Sequence, residues 1–463
     1  MRQIDVHKLS DEARFNSFHG LVLLWCALII VFDGYDLAVV GIALPSIMNE
    51  MRVDPTRAGF MVSAALFGMM FGAITLGTLA DRIGRRRAIA ICIALFSVFT
   101  AAAGLAKDPI TFSVMRFLAG IGIGGVMPNV IAHMTEFAPR RIRSFMVTLM
   151  FSGYSVGSIL AALLGKGLIE SYGWQSVFLA AAAPLLLIPF VLKSLPESMP
   201  FLLKQGRTDE LKQIASRLEP SYVPQPGDRF VVPAEDKADN APIRHLFQEG
   251  RGFSTVLFWI ACFMCLFIVY ALSSWLTKLM ISAGYSLGSA LTFVLVLNAG
   301  AIAGAVVGGW LADRFRIKYV LVCMFGLAAV SITMLGHSMP QELLYLFVAL
   351  AGACTIGTQI VTCAYVGQFY PMAVRSTGIG WMLGVGRAGA ILAPIAIGSL
   401  VSIAMPLEQN FMAIAIPAVL GGIAILLTNH SRSASTHHGE LRPPEGSALP
   451  QPQPQPQPSA SSQ

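Results

Sequence analysis

Four charged side chains stand where charge is expensive: Asp33, Asp36, Arg116 and Arg387 all fall inside long apolar stretches. Each costs about 2.5–3.5 kcal/mol at the centre of a membrane-spanning helix on insertion scales. Such residues are expected to face one another or water. Asp33 and Asp36 are three apart and share one helix face. Two carboxylates this close in a low-dielectric cavity do not both ionise readily, so one is expected to keep a proton and act as a proton carrier. Arginine presents a planar fork that holds a carboxylate with two bonds and lies flat on an aromatic ring. Arg387 therefore suits the hold on an organic anion, and Arg116 suits a switch. The bland alternative makes both acids fixed partners of the two arginines.

A rise of about 1.5 Å per residue puts Asp33, Asp36, Arg116 and Arg387 roughly 20, 24, 21 and 18 Å from the face where the chain begins. They converge on one slab. Tyr35, Tyr154, Tyr270, Trp275, Asn298 and Gln359 fall at similar depth and are candidates to complete a pocket, although each type at such a place is more often packing than ligand. Gly384–Gly389 reads formally as GxGxxG. Without a preceding strand it carries no dinucleotide site.

The elements that must position these groups follow from composition. Of 463 residues, 55% are apolar and only 12% charged, with a mean hydropathy of +0.67; soluble domains carry about 25% charged residues. A bilayer core about 30 Å thick needs about 20 apolar residues per helix. Twelve such runs occur, near 20–48, 57–79, 88–106, 110–136, 143–168, 174–195, 253–283, 289–312, 317–337, 341–369, 375–403 and 409–428. The fold class is an all-α integral membrane protein. The organisation expected is a cytoplasmic segment 1–19, a six-helix bundle 20–195, a cytoplasmic linker 196–252, a second bundle 253–428, and a disordered Ser-, Pro- and Gln-rich tail 429–463.

Charge distribution sets orientation. With the N-terminus inside, inner segments plus Lys193 hold 25 of the 32 Lys and Arg residues, while outer positions hold five, Arg52, Arg57, Lys107, Lys166 and Lys278. This bias predicts cytoplasmic termini and accounts for the net charge of +7 without nucleic acid. The seven cysteines are dispersed through apolar runs, which is no disulfide framework. Nothing in the spacing suggests a metal site, a cofactor or a nucleophile–base pair, so no enzyme is expected.

The chain repeats itself at an offset of 232 residues. Gly77, Leu79, Ala80, Asp81 and Arg82 match Gly309, Leu311, Ala312, Asp313 and Arg314. Phe137, Pro139, Arg143, Ser144 and Gly157 match Phe369, Pro371, Arg375, Ser376 and Gly389. Two parallel six-helix halves, with a site at the midplane between them, are the plan of a secondary transporter. The loop Gly77–Arg87 sets Asp81 beside Arg82, Arg85, Arg86 and Arg87. With its repeat at Asp313 and Arg314, and with Glu136 near Arg143, it suggests charged latches on the inner face. Plain positive-inside anchoring is the alternative.

On these motifs the membrane part resembles the major facilitator superfamily. Gly77–Arg87 is similar to its GxLaDrxGrkxxl loop, Arg116–Gly124 to its RxxxGxGxG motif, and Pro196-Glu197-Ser198 to the PES sequence after helix six. Asp33-Gly34-Tyr35-Asp36, followed by Pro45, resembles the DGxD signature of the aromatic acid:proton symporters. Phe15–His19 and Phe67–Gly72 look closest to benzoate transporters.

The resemblance implies proton-coupled uptake of benzoate or a hydroxybenzoate across the cytoplasmic (inner) membrane, by a monomer. It assigns Asp33, Asp36 and Arg116 to proton coupling and Gly77, Asp81 and Arg85 to the gate. Substrate contact by Arg387 rests on depth and charge alone. Proton-driven efflux of amphipathic compounds, or a sensor that binds the acid without moving it, are the alternatives.

Overall fold

A computed structural model describes residues 3–225, 228–231, 243–370 and 372–429, without the side chains of Ile243, Ser144, Glu249, Asp313 and residues 372–376. The expected disordered tail lies, but for Asn429, outside the described residues.

The chain opens with β1 (Gln3–Asp5) and α1 (Val6–Glu12). The first six spans follow: α2 (Ser17–Met51), α3 (Pro55–Ile83), α4 (Arg85–Ala103), α5 (Pro109–Phe137), α6 (Arg143–Tyr172), and a sixth made of α7 (Gln175–Ala180), a 3-10 turn and α8 (Ile188–Ser194). Then come α9 (Met199–Lys204), α10 (Thr208–Leu218), β2 (Arg229–Val231) and a 3-10 helix, Ile243–Gly250. The last six spans are α11 (Gly252–Ser282), α12 (Leu287–Arg314), α13 (Ile317–Met334), α14 (Gln341–Phe369), α15 (Met372–Ser402) and α16 (Leu407–Leu427). These twelve stretches are long and apolar enough to cross a membrane.

Local chemistry explains the boundaries. Asp54 and Asp108 each cap a helix that begins with proline, their carboxylates accepting from Arg57 N–H and Thr111 N–H, a favoured pairing of cap and first residue. The Gly77–Arg87 motif is almost entirely helical rather than a loop. Only Gly84 breaks it, with φ at +96° and no room for a side chain, since a Cβ there would fall 2.6 Å from the Glu197 carboxylate.

The repeat extends to packing. A Cβ on Gly68 or Gly72 of α3 would strike the Phe117 or Ile121 carbonyl of α5, and one on Gly300 or Gly304 of α12 would strike Ala349 or Ala353 of α14. Gly157 abuts Val31 O while Gly389 abuts Phe263 O, and all four positions obey the same offset. Small residues at such places let helix backbones approach closely.

The described parts of the 196–252 stretch carry secondary structure. β1 pairs in parallel with β2, Ile4 opposite Phe230. The amphipathic α10 buries Leu211, Ile214, Ala215 and Leu218, the spacing of one helix face. Asn16 donates to the Arg217 and Leu218 carbonyls. The N-terminal segment and the first part of the linker thus form one cap, seated on the first half at the face where the spans begin and end.

At the opposite face the halves meet tightly. A Cβ on Gly41 would lie 2.1 Å from Ser273 O, and one on Gly59 2.4 Å from Pro394 O. Ser63 donates to the Ile391 carbonyl at 2.7 Å across the seam, and Lys166 reaches Thr292 at 3.4 Å. Toward the terminal face, Gly77, Gly309, Gly380 and Gly384 have open space where a side chain would go.

Candidate functional site

The structure treats the two aspartates differently. Asp36 is paired: Arg116 donates one guanidinium nitrogen to both its carboxylate oxygens, at 3.0 and 3.2 Å, and the other to its backbone carbonyl at 3.2 Å. Thr100 accepts from the same guanidinium at 2.8 Å. Both side chains of the pair are 1% exposed. The Thr100 contact was not anticipated; a hydroxyl buried three residues from the end of an apolar helix is a faint signal in the sequence.

Asp33 is equally buried, yet neither of its carboxyl oxygens has a hydrogen-bond partner among the described residues. Arg387, Tyr154 and Tyr270 lie within electrostatic reach of it. Tyr154 comes from α6 in the first half, Tyr270 and Arg387 from α11 and α15 in the second, and the two phenols face each other. Arg387 is half-buried, and its one hydrogen bond among the described residues is a long one, 3.5 Å, to Met69 O. An ionised carboxyl without partners in such surroundings is costly, and either a proton or a cation removes the cost.

A cavity of about 20 Å3 adjoins Tyr154 and Tyr270, its polar lining completed by Arg116, Ser158, Ser273 and Ser274; neither Asp33 nor Arg387 borders it. It has room for a water molecule.

Other expected pocket residues go elsewhere. Tyr35 turns its hydroxyl to the Val177 carbonyl at 2.7 Å, bracing α2 on α7, and does not line the cavity. Tyr35, like Gly34, lies between Asp33 and Asp36 on the helix and so points away from their shared face. Trp275 donates to Pro394 O at 3.0 Å and is fully buried. Asn298 donates to Val294 O one turn back, and neither it nor Gln359 borders the cavity.

The expected latch residues pair within the first half and its cap. Arg85 bonds Glu136 at 2.7 Å, and Glu136 also accepts from Ser198 Oγ and Met199 N. Arg143 does not meet Glu136; it pairs with Asp11 and donates to Ala138 O. Asp81 is exposed with no ion pair among the described residues, and a side chain at Gly77 would enter open space. Arg314 lies over Trp310, 5.5 Å from the ring centre, and the Asp313 side chain lies outside the described residues. Among the described residues no cluster of three metal-ligating side chains occurs.

Comparison with known proteins agrees with this architecture. A model of the Major Facilitator Superfamily matches residues 26–315 and 289–454. The chain is 47% identical to the benzoate transport protein of Acinetobacter baylyi over 437 residues, 93% of this chain and 94% of that protein. It is 36% identical to a gallate transporter of Pseudomonas putida, covering 94% and 97% of the two chains. A 4-hydroxybenzoate transporter of the same species is 33% identical over 92% of this chain and 96% of its own. Among solved structures, an inward-facing bacterial homologue of the human lysosomal transporter Spinster superposes with a TM-score of 0.70 at 18% identity, covering 90% and 98%. The inward-open xylose transporter of E. coli gives 0.68 at 16% identity, covering 88% and 95%. At such identities the structures speak to the fold alone.

Proposed function

Because the chain belongs to the major facilitator superfamily, and is thus a multi-pass membrane transporter and not an enzyme, we propose that it takes up an aromatic carboxylate, benzoate foremost, by symport with protons. One observation carries the reading: an unpartnered carboxyl, Asp33, lies within electrostatic reach of the little-used guanidinium of Arg387 at the seam of the halves. The identity to a benzoate transport protein supports the choice of substrate.

In this reading Asp33 carries the proton, and Asp36 with Arg116 forms the neutral pair that holds α2 against α5. Arg387 takes the substrate carboxylate, and Tyr154 and Tyr270 border the ring. Proton and monoanion together neutralise the chamber, which lowers the cost of closing it away from water. The loaded and empty forms then favour different conformations, and alternating access follows.

The count of 25 basic residues on inner segments against five outside supports a cytoplasmic terminal face. The tight seam at the opposite face then corresponds to an inward-facing state. One proton per monoanion moves no net charge, so the pH gradient alone drives uptake, at about 1.4 kcal/mol per unit.

The test is radiolabelled benzoate uptake into vesicles holding the purified protein, with the interior made alkaline. An initial rate of accumulation well above that of protein-free vesicles, which trap the permeant neutral acid passively, is the expected outcome, with collapse by a protonophore and competitive inhibition by hydroxybenzoates. Equilibration without accumulation, or export without benzoate-stimulated proton entry, overturns the symport reading.

A further inference from the structure

The second half carries a feature that transport does not use. A groove of about 640 Å3 runs between α12, α13 and α14, walled by Ala303, Gly304, Gly308 and Leu311 on one side and by Cys323 and Met324 on the other. Phe315 and Tyr319, both more than half exposed, border it at its terminal-face end. Its walls come only from second-half helices, so it lies apart from the seam and from Arg387.

From Ala303 to Phe315 the groove follows α12 for about 18 Å at 1.5 Å per residue. That matches roughly half of a bilayer core about 30 Å thick. It is therefore one leaflet deep, and its mouth is at the level where headgroups lie. Arg314, Arg316 and Lys318 cluster at that mouth. Lys318 is partly engaged, donating to Thr428 O at 2.7 Å, and Arg314 lies over Trp310, whereas Arg316 is exposed.

The residues that line the groove on α12 differ from their first-half counterparts. At the same offset of 232, the first half has Phe71 and Leu76 where the second has Ala303 and Gly308. Leu76 is buried against Gly125 and fills the equivalent space. Replacement of two bulky residues by small ones opens the channel.

We propose that this groove binds one anionic phospholipid of the terminal-face leaflet, an acyl chain lying along α12 and the phosphate meeting the Arg314–Lys318 turn. Water has no polar partner on these walls, and a bare apolar chain leaves the basic rim unused. Basic pockets between spanning helices on the cytoplasmic side are a recurrent way of holding acidic headgroups. The leaflet rests on the orientation proposed above; the groove does not rest on the transport reading.

The experiment is native mass spectrometry of the full chain released from nanodiscs of equimolar phosphatidylglycerol and phosphatidylcholine. The expected result is one retained phosphatidylglycerol in excess over phosphatidylcholine. Arg316→Ala should lower its retention about fivefold, with a further loss in the Arg314→Ala, Arg316→Ala double variant. Gly308→Leu, which returns the first-half residue to the groove, should remove it.

Circular dichroism checks that each variant keeps its helices, and Arg316→Ala, at an exposed turn, keeps the test valid if Gly308→Leu misfolds. Equal retention of both lipids, or phosphatidylglycerol held unchanged by the arginine variants or by folded Gly308→Leu, overturns the proposal.

Discussion

The two halves share a scaffold and differ in their charges. In the first half the terminal face is pinned: Arg85 to Glu136, and Arg86 close to Glu197 and Glu210. At the matching places the second half has Ile317, Lys318 and Gln368, and Arg316 replaces the turn glycine Gly84. The buried arginines differ likewise. Arg116 is consumed by Asp36 and Thr100, while Arg387, at a position unrelated by the repeat, is nearly unengaged. Duplication preserved the glycine contacts that set helix spacing and left the charges to diverge. The first half is braced by paired charges, and the second presents an arginine with one long hydrogen bond among the described residues.

The comparison breaks most readily at the two aspartates. Asp33→Asn should abolish gradient-driven accumulation of benzoate in vesicles while counterflow exchange survives. Asp36→Asn should chiefly destabilise, because it strands the Arg116 charge, at a cost of about 3–5 kcal/mol. Thermal unfolding in detergent should show that loss, with recovery when Arg116→Gln is added. If Asp33→Asn still accumulates substrate, and Asp36→Asn fails to do so at wild-type stability, the roles of the two acids are exchanged.

A smaller effect sharpens the contrast of arginines. Arg387→Lys keeps the charge and removes the fork. It should raise the KM for benzoate about tenfold, equivalent to about 1.4 kcal/mol, with unfolding temperature unchanged. An unaltered KM would place the carboxylate elsewhere. The smallest effect belongs to Tyr35→Phe, which removes only the bond to Val177 O. It should cost about 1 kcal/mol of stability and leave the KM as it was; a raised KM would return Tyr35 to the pocket.

Much of this was readable in the residues. Apolar runs placed all twelve spans to within a few positions, because desolvation penalises any charge in them. Counting helix rise brought Asp33, Asp36, Arg116 and Arg387 to one depth, and the structure has Asp36 against Arg116 and Asp33 within reach of Arg387. Spacing was silent on which acid takes which arginine, since residues three apart share a face and only the neighbouring helix decides between them. The folded cap escaped notice for a different reason. Its helices are short and its strands have three residues each, so their periodicity is too brief to stand out from a polar, Pro-rich stretch. The groove beside α12 was hidden because a glycine in a membrane helix reads as close packing, and whether a neighbour fills the space is a matter of three dimensions.

The cap has a mechanical corollary. β2, up to Val231, is moored to the N-terminal segment through β1, while the 3-10 helix from Ile243 packs on α11 and α15 of the second half. From Val231 to Ile243 the chain takes twelve residue steps, a contour of at most about 40 Å. At their seam the halves are held by reversible contacts, such as the hydrogen bond from Ser63 to the Ile391 carbonyl.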